Sequence, residues 1–202
     1  MPRLLVATTN PNKVKEIRRV LDGADVEVMT LEGWPDVVAP EETGRTFEDN
    51  ARLKATYYAR ATGQVTVAED SGIEIDALGG VPGVESARYA GEETSYPEKF
   101  ARLYAALDRT GTRDSAARFV CALAMASPDA ILFEARGIIE GRVAHEPAGS
   151  GGFGYDPFFF YPPYGRTLGQ VTPEEKLAVS HRGQAFRKLR EFLASLRTSD
   201  LR

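Results

Sequence analysis

The sequence predicts an α/β protein built on a mixed, twisted sheet flanked by helices, and three observations carry that prediction. Near the start a short apolar run, Leu4–Ala7, leads straight into the helix-start signal Asn10-Pro11, the strand-then-helix order of a parallel α/β unit. In the second half two long β-prone runs, Ala116–Ser127 and Ile131–Val143, are joined at the turn-forming stretch Ser127-Pro128-Asp129-Ala130, the mark of an antiparallel hairpin. Earlier in the chain the apolar run Val65-Thr66-Val67 leads into Ala68-Glu69-Asp70-Ser71-Gly72. A buried strand that ends in two acids, a hydroxyl and a glycine puts carboxylates where a sheet opens to solvent, the usual place for a site in such folds.

The first helix should run from Pro11 to about Leu21 with Asn10 as its cap and Val14, Ile17 and Leu21 on one face. Glu27–Leu31 reads as a second strand, and the Pro, Gly and acid content from Glu32 to Gly44 marks a loop. Thr46 opens a second helix, with Phe47, Ala51, Lys54, Tyr58 and Ala61 at helical spacing. After the central strand and the alternating run Ile73–Leu78 come a glycine-proline turn cluster and a helix capped by Ser95, with Phe100, Leu103 and Leu107 inward. Pro157–Tyr161 reads as a fully buried strand, and Thr172-Pro173-Glu174-Glu175 is a capping box that opens another helix. Ser180-His181-Arg182-Gly183 interrupts the pattern before a last amphipathic helix, with Phe186, Leu189, Leu193 and Leu196 inward, that runs to the chain end.

Composition narrows the function classes. At 202 residues, 43% apolar and 27% charged, the chain has the make-up of one globular domain, 1–202, with a full core, and disorder is excluded as a main theme. Lys and Arg number 25 against 29 Asp and Glu, so no global field would hold it on nucleic acid or an anionic membrane, and any phosphate must be met locally. Cys121 is the only cysteine, in an apolar run, which excludes an intrachain disulfide and favours a buried small hydrophobe. With no signal peptide and no apolar run of the ~18 residues a span requires, the expected setting is cytoplasmic, with no membrane partner.

Several clusters carry chemistry. Two adjacent acids, Glu69 and Asp70, suggest a divalent cation, since Mg²⁺ takes one or two carboxylates and fills its octahedron with water and substrate phosphates; ordinary turn chemistry before Gly72 is the alternative. Glu41 or Glu42 could also reach such a metal. The stretch Thr8-Thr9-Asn10-Pro11-Asn12-Lys13 makes an anion site from hydroxyls, exposed N–H groups and a lysine one turn into the helix, or else a well-capped turn. Lys54 interrupts a buried-looking face, as a snorkelling or a functional lysine. In the glycine-rich loop 146–157, Phe153 and Tyr155 offer flat faces on which a base can stack; an Ω-loop packed by its own aromatics is the competing reading. His181 fits a surface or capping residue, while Arg182 supplies donors suited to carbonyl oxygens or phosphate.

Five of these signals in order, Thr8-Thr9-Asn10 with Lys13, Glu42 before Thr46-Phe47-Glu48-Asp49-Asn50, Ala68–Gly72, Gly152-Phe153-Gly154-Tyr155-Asp156-Pro157, and Lys176 with Ser180-His181-Arg182, resemble the inosine/xanthosine triphosphate pyrophosphatases. That family cleanses the nucleotide pool of non-standard purine nucleotides, and the likeness runs from about residue 4 to 190. The resemblance implies two lobes around a central nucleotide-binding cleft, a homodimer, and Mg²⁺-dependent hydrolysis of ITP, dITP or XTP to the monophosphate and pyrophosphate. By position, Thr8, Thr9, Asn10, Pro11, Asn12 and Lys13 would hold the triphosphate. Asp70 would be proton acceptor and metal ligand, Ser71 a substrate contact beside it, and Glu42 a second metal ligand. Phe153, Gly154, Tyr155, Asp156, Lys176, His181 and Arg182 would shape the base and sugar site, with Lys54 and Arg88 as further contacts. Thr9 stands where relatives often have glycine, and Glu69 where some have aspartate, which leaves the division of labour between Glu69 and Asp70 open.

The charges agree with this reading. A triphosphate carries about four negative charges, to be met by Lys13, Lys54, Arg88, Lys176, a helix N-terminus and Mg²⁺. Metal binding lowers a carboxylate's pKa, so a metal-activated water is the expected nucleophile, oriented by Glu69 or Asp70. Donors from Arg182 and His181 would meet a purine O6 and oppose adenine's amino group. Two other readings stand beside it: a Maf-type pyrophosphatase for modified or ordinary nucleotides, and a nucleotide sensor without catalysis.

Overall fold

The computed structural model describes residues 2–196. Seven strands form one mixed sheet of order β2-β1-β3-β4-β5-β6-β7, and five α-helices accompany it. The strands are β1 (Arg3–Val6), β2 (Glu27–Thr30), β3 (Thr66–Ile75), β4 (Ala116–Ala126), β5 (Ile131–Val143), β6 (Phe159–Tyr161) and β7 (Arg166–Thr167). The helices are α1 (Pro11–Leu21), α2 (Phe47–Thr62), α3 (Tyr96–Thr110), α4 (Pro173–Val179) and α5 (His181–Ser195). β1 pairs in parallel with β2 and β3, whereas β6 pairs antiparallel with β5 and β7, so the predicted mixed character holds. Ser127 N donates to Ala130 O at 2.9 Å in the short link between β4 and β5.

The chain divides into two compact units, one of residues up to 70, 121–137 and from 181 on, the other of 71–120 and 138–180. In the first, α1 packs against α5 through Ile17, Val20 and Leu21, while Ala185, Phe186, Leu189 and Leu193 of α5 are buried. Arg190 of α5 also donates to the Val20 carbonyl at 3.3 Å, which meets one of the orphan acceptors at the end of α1. In the second, Ile73 and Ile75 of β3 join Phe100, Leu103 and Leu107 of α3 and the aromatics Tyr155, Phe158 and Phe159 in one core. Full burial of each such side chain is worth about 1.5–3 kcal/mol.

Helix starts follow local chemistry. The Asn10 side chain accepts from Asn12 N and Lys13 N, Thr46 accepts from Asp49 N, and Ser95 and Thr172 close capping boxes with Glu98 and Glu175.

Other expectations are corrected. The acids do not end a strand: β3 runs unbroken through Glu69, Asp70, Ser71 and Gly72, because distant cations and amides satisfy both carboxylates inside the fold. Gly72 serves close approach, since a Cβ there would lie 2.3 Å from Ser86 Oγ and 2.5 Å from the Gly83 carbonyl. Ala61 faces solvent, and Asn50 and Ala55 take the buried positions on α2. β6 is three residues long and only Phe159 in it is buried, because Asp156–Phe158 form a 3₁₀ turn first. α5 begins at His181, so only Ser180 breaks the helical run, and His181 is buried in the first turn. From residue 197 onward the expected last helix lies outside the described residues. No helix among the described residues is long and apolar enough to cross a membrane.

Candidate active site

Adjacent residues of a strand point to opposite faces, so β3 delivers Glu69 to one side of the first unit and Asp70 to the other. The Glu69 carboxylate meets Lys13 Nζ at 2.8 Å from α1, and accepts from Arg182 Nε at 3.3 Å and Nη2 at 3.2 Å from the first turn of α5. Cys121 Sγ donates to its other oxygen at 3.5 Å. Arg182 also donates to Glu16 at 2.7 Å. The Glu69 and Arg182 side chains are 1% and 2% exposed. Burial alone would push the Glu69 carboxyl up, but Arg182 and Lys13 outweigh it and hold it well below the usual carboxylate range. Burial pushes the Cys121 thiol well up, and the adjacent Glu69 charge adds to it, so the thiol stays protonated and donates.

On the other face Asp70 accepts from Asn50 Nδ2 at 3.1 Å and meets Lys54 Nζ at 3.2 Å. Lys54 Nζ also lies 2.5 Å from Glu42, so two carboxylates converge on one ammonium. Asn50 and Lys54, one turn apart on α2, share this face, and the Asn50 oxygen accepts from Gly44 N at 2.7 Å, which ties down the loop that carries Glu42. Burial pushes the Asp70 carboxyl up; Lys54 and Asn50 pull it down, Glu42 and Glu69 push it up, and it stays above the ordinary aspartate value. Burial alone would push the Lys54 ammonium down, but Asp70 and Glu42 more than offset it. Lys54 is thus a charge anchored by two acids and does not snorkel. Among the described residues no three His, Cys, Asp or Glu side chains gather into a metal cage. Glu42 and Asp70 are the two carboxylates here that could hold a hard cation such as Mg²⁺, with water and phosphate in its other positions.

The phosphate-loop expectation falls on a capped helix start in the same unit. Asn10 N donates to Thr8 Oγ1 at 3.2 Å, and the Asn10 side chain occupies the N–H groups of Asn12 and Lys13. Thr9, Pro11 and Asn12 are exposed beside it.

In the second unit Asp156 anchors the glycine-rich loop. Its Oδ2 accepts from Phe153 N at 2.7 Å and from Lys176 Nζ at 2.6 Å, and the same ammonium lies 4.4 Å from the Phe153 ring centroid. Phe153 is half-buried, a ring with a face to offer. Tyr155 differs from the stacking expectation: 4% exposed, it packs edge-on against Tyr96 and donates from its hydroxyl to Ser86 O at 2.8 Å. Gly154 lines a cavity with Tyr96, Phe100 and Tyr104. Ser71 follows Asp70 in β3, half-buried, and Arg88 reaches Glu85 at 3.3 Å. Lys99, buried, donates to the Ala87 carbonyl and so fixes the main chain next to Arg88.

Sequence reasoning missed Asn50, Glu16 and Lys99. An amide and a lysine four residues apart on an otherwise apolar helix face was the available signal for Asn50; Glu16 and Lys99 gave none. The reading of Arg182 also shifts, since at least three of its N–H groups serve Glu69 and Glu16.

One glycine sets this geometry. A Cβ on Gly137 of β5 would stand 2.0 Å from the His181 carbonyl and 2.8 Å from Ala185 N, both backbone atoms of the α5 start. Gly137→Ala should therefore lower the unfolding free energy by about 1–3 kcal/mol in a denaturant titration; an unchanged midpoint would show that α5 yields freely.

The Ham1 family model matches residues 4–192. The chain belongs to the Ham1 family. A dITP/XTP pyrophosphatase of Exiguobacterium sp. is 48% identical over 187 residues, 93% of this chain and 94% of that protein. One of Nostoc sp. is 46% identical over 197 residues, 97% of this chain and 96% of that one. Among solved structures, a HAM1 protein from Coxiella burnetii superposes with a TM-score of 0.91 at 37% identity, over 97% of this chain and all of that one. A nucleoside-triphosphatase / dITP/XTP pyrophosphatase from Mycobacterium abscessus gives 0.75 at 42%, over 93% and 98% of the two chains. The motifs at Thr8–Lys13, Glu42, Glu69-Asp70, Phe153–Asp156 and Lys176–Arg182 all fall within the matched span of this Ham1-family chain.

Proposed function

We propose that the protein hydrolyses non-standard purine nucleoside triphosphates, dITP, XTP and ITP, to the monophosphate and pyrophosphate. The observation that carries this is the pairing of Asp70 and Glu42 on Lys54 in a chain whose relatives over nearly full length are dITP/XTP pyrophosphatases. Asp70 orients water for attack on the α-phosphorus and takes its proton, a role for which Glu69, filled by Lys13 and Arg182, is less free. Glu42 and Asp70 would hold Mg²⁺, which supplies charge neutralisation at the reacting phosphate when bound. Lys13 and the exposed Thr9 beside the α1 start answer the triphosphate, with Lys54 holding the carboxylates in place. Phe153 supplies the stacking face at the base end, with Asp156 and Lys176 to fix its loop.

Exposed apolar side chains, Tyr57 and Ile131 among them, line one groove with Leu53 of α2 and support a homodimer, which sedimentation equilibrium reads directly. A cytoplasmic setting completes the reading.

A pyrophosphate-release assay over a panel of nucleoside triphosphates tests it. Release from ITP, dITP and XTP should require Mg²⁺, stop on chelation, and exceed release from ATP by orders of magnitude. No release from any member, or ATP as the best substrate, overturns the proposal. Preference for modified pyrimidines would instead favour the Maf-type reading.

A further inference from the structure

Beside the loop assigned to the triphosphate, and sharing Thr8, Thr9 and Pro11 with it, the first unit holds a concavity whose remaining walls the proposed reaction does not use. Its volume is about 520 Å³, inside the usual range for small-molecule pockets. One wall is a single face of α1, Pro11, Val14, Lys15 and Arg18 at helical spacing, next to the face that Ile17, Val20 and Leu21 bury; Val14, expected on the buried face, is only half-buried and lines the cavity. The other is the segment after β2, with Leu31, Trp34 and Val37, which main-chain bonds from Trp34 N to Leu31 O and Val37 N to Trp34 O hold in turns. Tyr58 of α2 also lines it. Apolar walls with a few polar groups are what ligand pockets offer.

Lys15 and Arg18 give this pocket its sign. Of the other cations of α1, Lys13 meets Glu69 and Arg19 has an interaction of its own, whereas neither Lys15 nor Arg18 has a hydrogen-bond or ion-pair partner among the described residues. Two cations one turn apart, beside an indole and a phenol, match a ligand that carries a dianionic group at one end and a flat ring at the other. Glu32, whose carboxylate accepts from Thr30 Oγ1 at 3.2 Å, stands on the rim as an acceptor for sugar hydroxyls.

We propose that this cavity is a second nucleotide site, which takes a purine nucleoside monophosphate with its phosphate on Lys15 and Arg18 and its base against Trp34. The choice of monophosphate rests on the reaction proposed above, of which it is a product: its dianion matches two cations. Thr8 and Thr9 line the cavity and also belong to the loop assigned to the triphosphate, so occupancy at one site is felt at the other.

Trp34 is the only tryptophan in the chain, so its emission reports on this cavity. Inosine monophosphate titrated into the full-length protein should change that emission saturably. The Lys15→Gln/Arg18→Gln variant should need at least about tenfold more ligand, since each lost charge-assisted contact is worth of order 1.4 kcal/mol or more. Its kcat/KM on inosine triphosphate without added monophosphate should stay that of the wild type. Lys13→Ala should keep the emission change. Absence of a saturable change, a midpoint unmoved by the double substitution, or a change lost in Lys13→Ala overturns the site. So does an emission that follows protein concentration and ignores the nucleotide, because a second copy then covers the cavity. The titration needs no turnover, so a failed pyrophosphate assay would sink the proposed reaction and leave this result to be read alone.

Discussion

Asp70→Asn should lower kcat by about 10²–10⁴-fold, the usual yield of a positioned proton acceptor, while the protein melts as before. The substitution keeps the shape of the side chain, and the asparagine oxygen can still accept from Asn50 or Lys54, the two groups that hold Asp70 now. What disappears is the negative charge, and with it both the proton-accepting oxygen and half of the pair that converges on Lys54. Single-turnover rates at saturating Mg²⁺ separate chemistry from product release. Glu69→Gln is the companion measurement. Because Glu69 is consumed by Lys13 and Arg182, its loss should be felt first in stability and in the placement of Lys13. Near wild-type single-turnover rates for Asp70→Asn, with a collapse for Glu69→Gln, would exchange the two roles.

Arg182→Ala should cost about 3–5 kcal/mol of unfolding free energy, because it breaks a buried ion pair and leaves one partner behind. Glu69 would keep Lys13 and Cys121 but lose both guanidinium contacts, and Glu16 would lose its 2.7 Å partner. Arg182→Lys makes the useful contrast. An ammonium preserves the charge but cannot reach two carboxylates with a planar fork, so part of the loss should remain. Urea denaturation of both variants reads this out. A loss below 1 kcal/mol for the alanine variant, in the range of exposed pairs, would mean that water reaches Glu69.

Much of the scaffold was legible because its signals are local. Asn10, Thr46, Ser95 and Thr172 cap helices within three residues of themselves, and the spacing of Phe100, Leu103 and Leu107 puts them on one face of α3 as read. β3 was not legible as one strand. Glu69 and Asp70 look like turn residues until Lys13, Asn50, Lys54 and Arg182 are placed beside them, and those partners come from 16 to 113 residues away in the chain. The same holds for Arg182. Its donors are obvious in sequence, but which acceptors they meet depends on α5 packing against α1, a contact no local pattern announces. Motif resemblance located the candidate residues; only coordinates divided them between acids that are held and acids that are available.

Because Glu69 and Asp70 are neighbours on one extended strand, deleting a single residue from β3 upstream of them would rotate both to the wrong layer. The longer acid would then crowd Lys54, and the shorter one would face Arg182 and fall short of it. Such a protein would have lost no functional group, yet it would lack an assembled site.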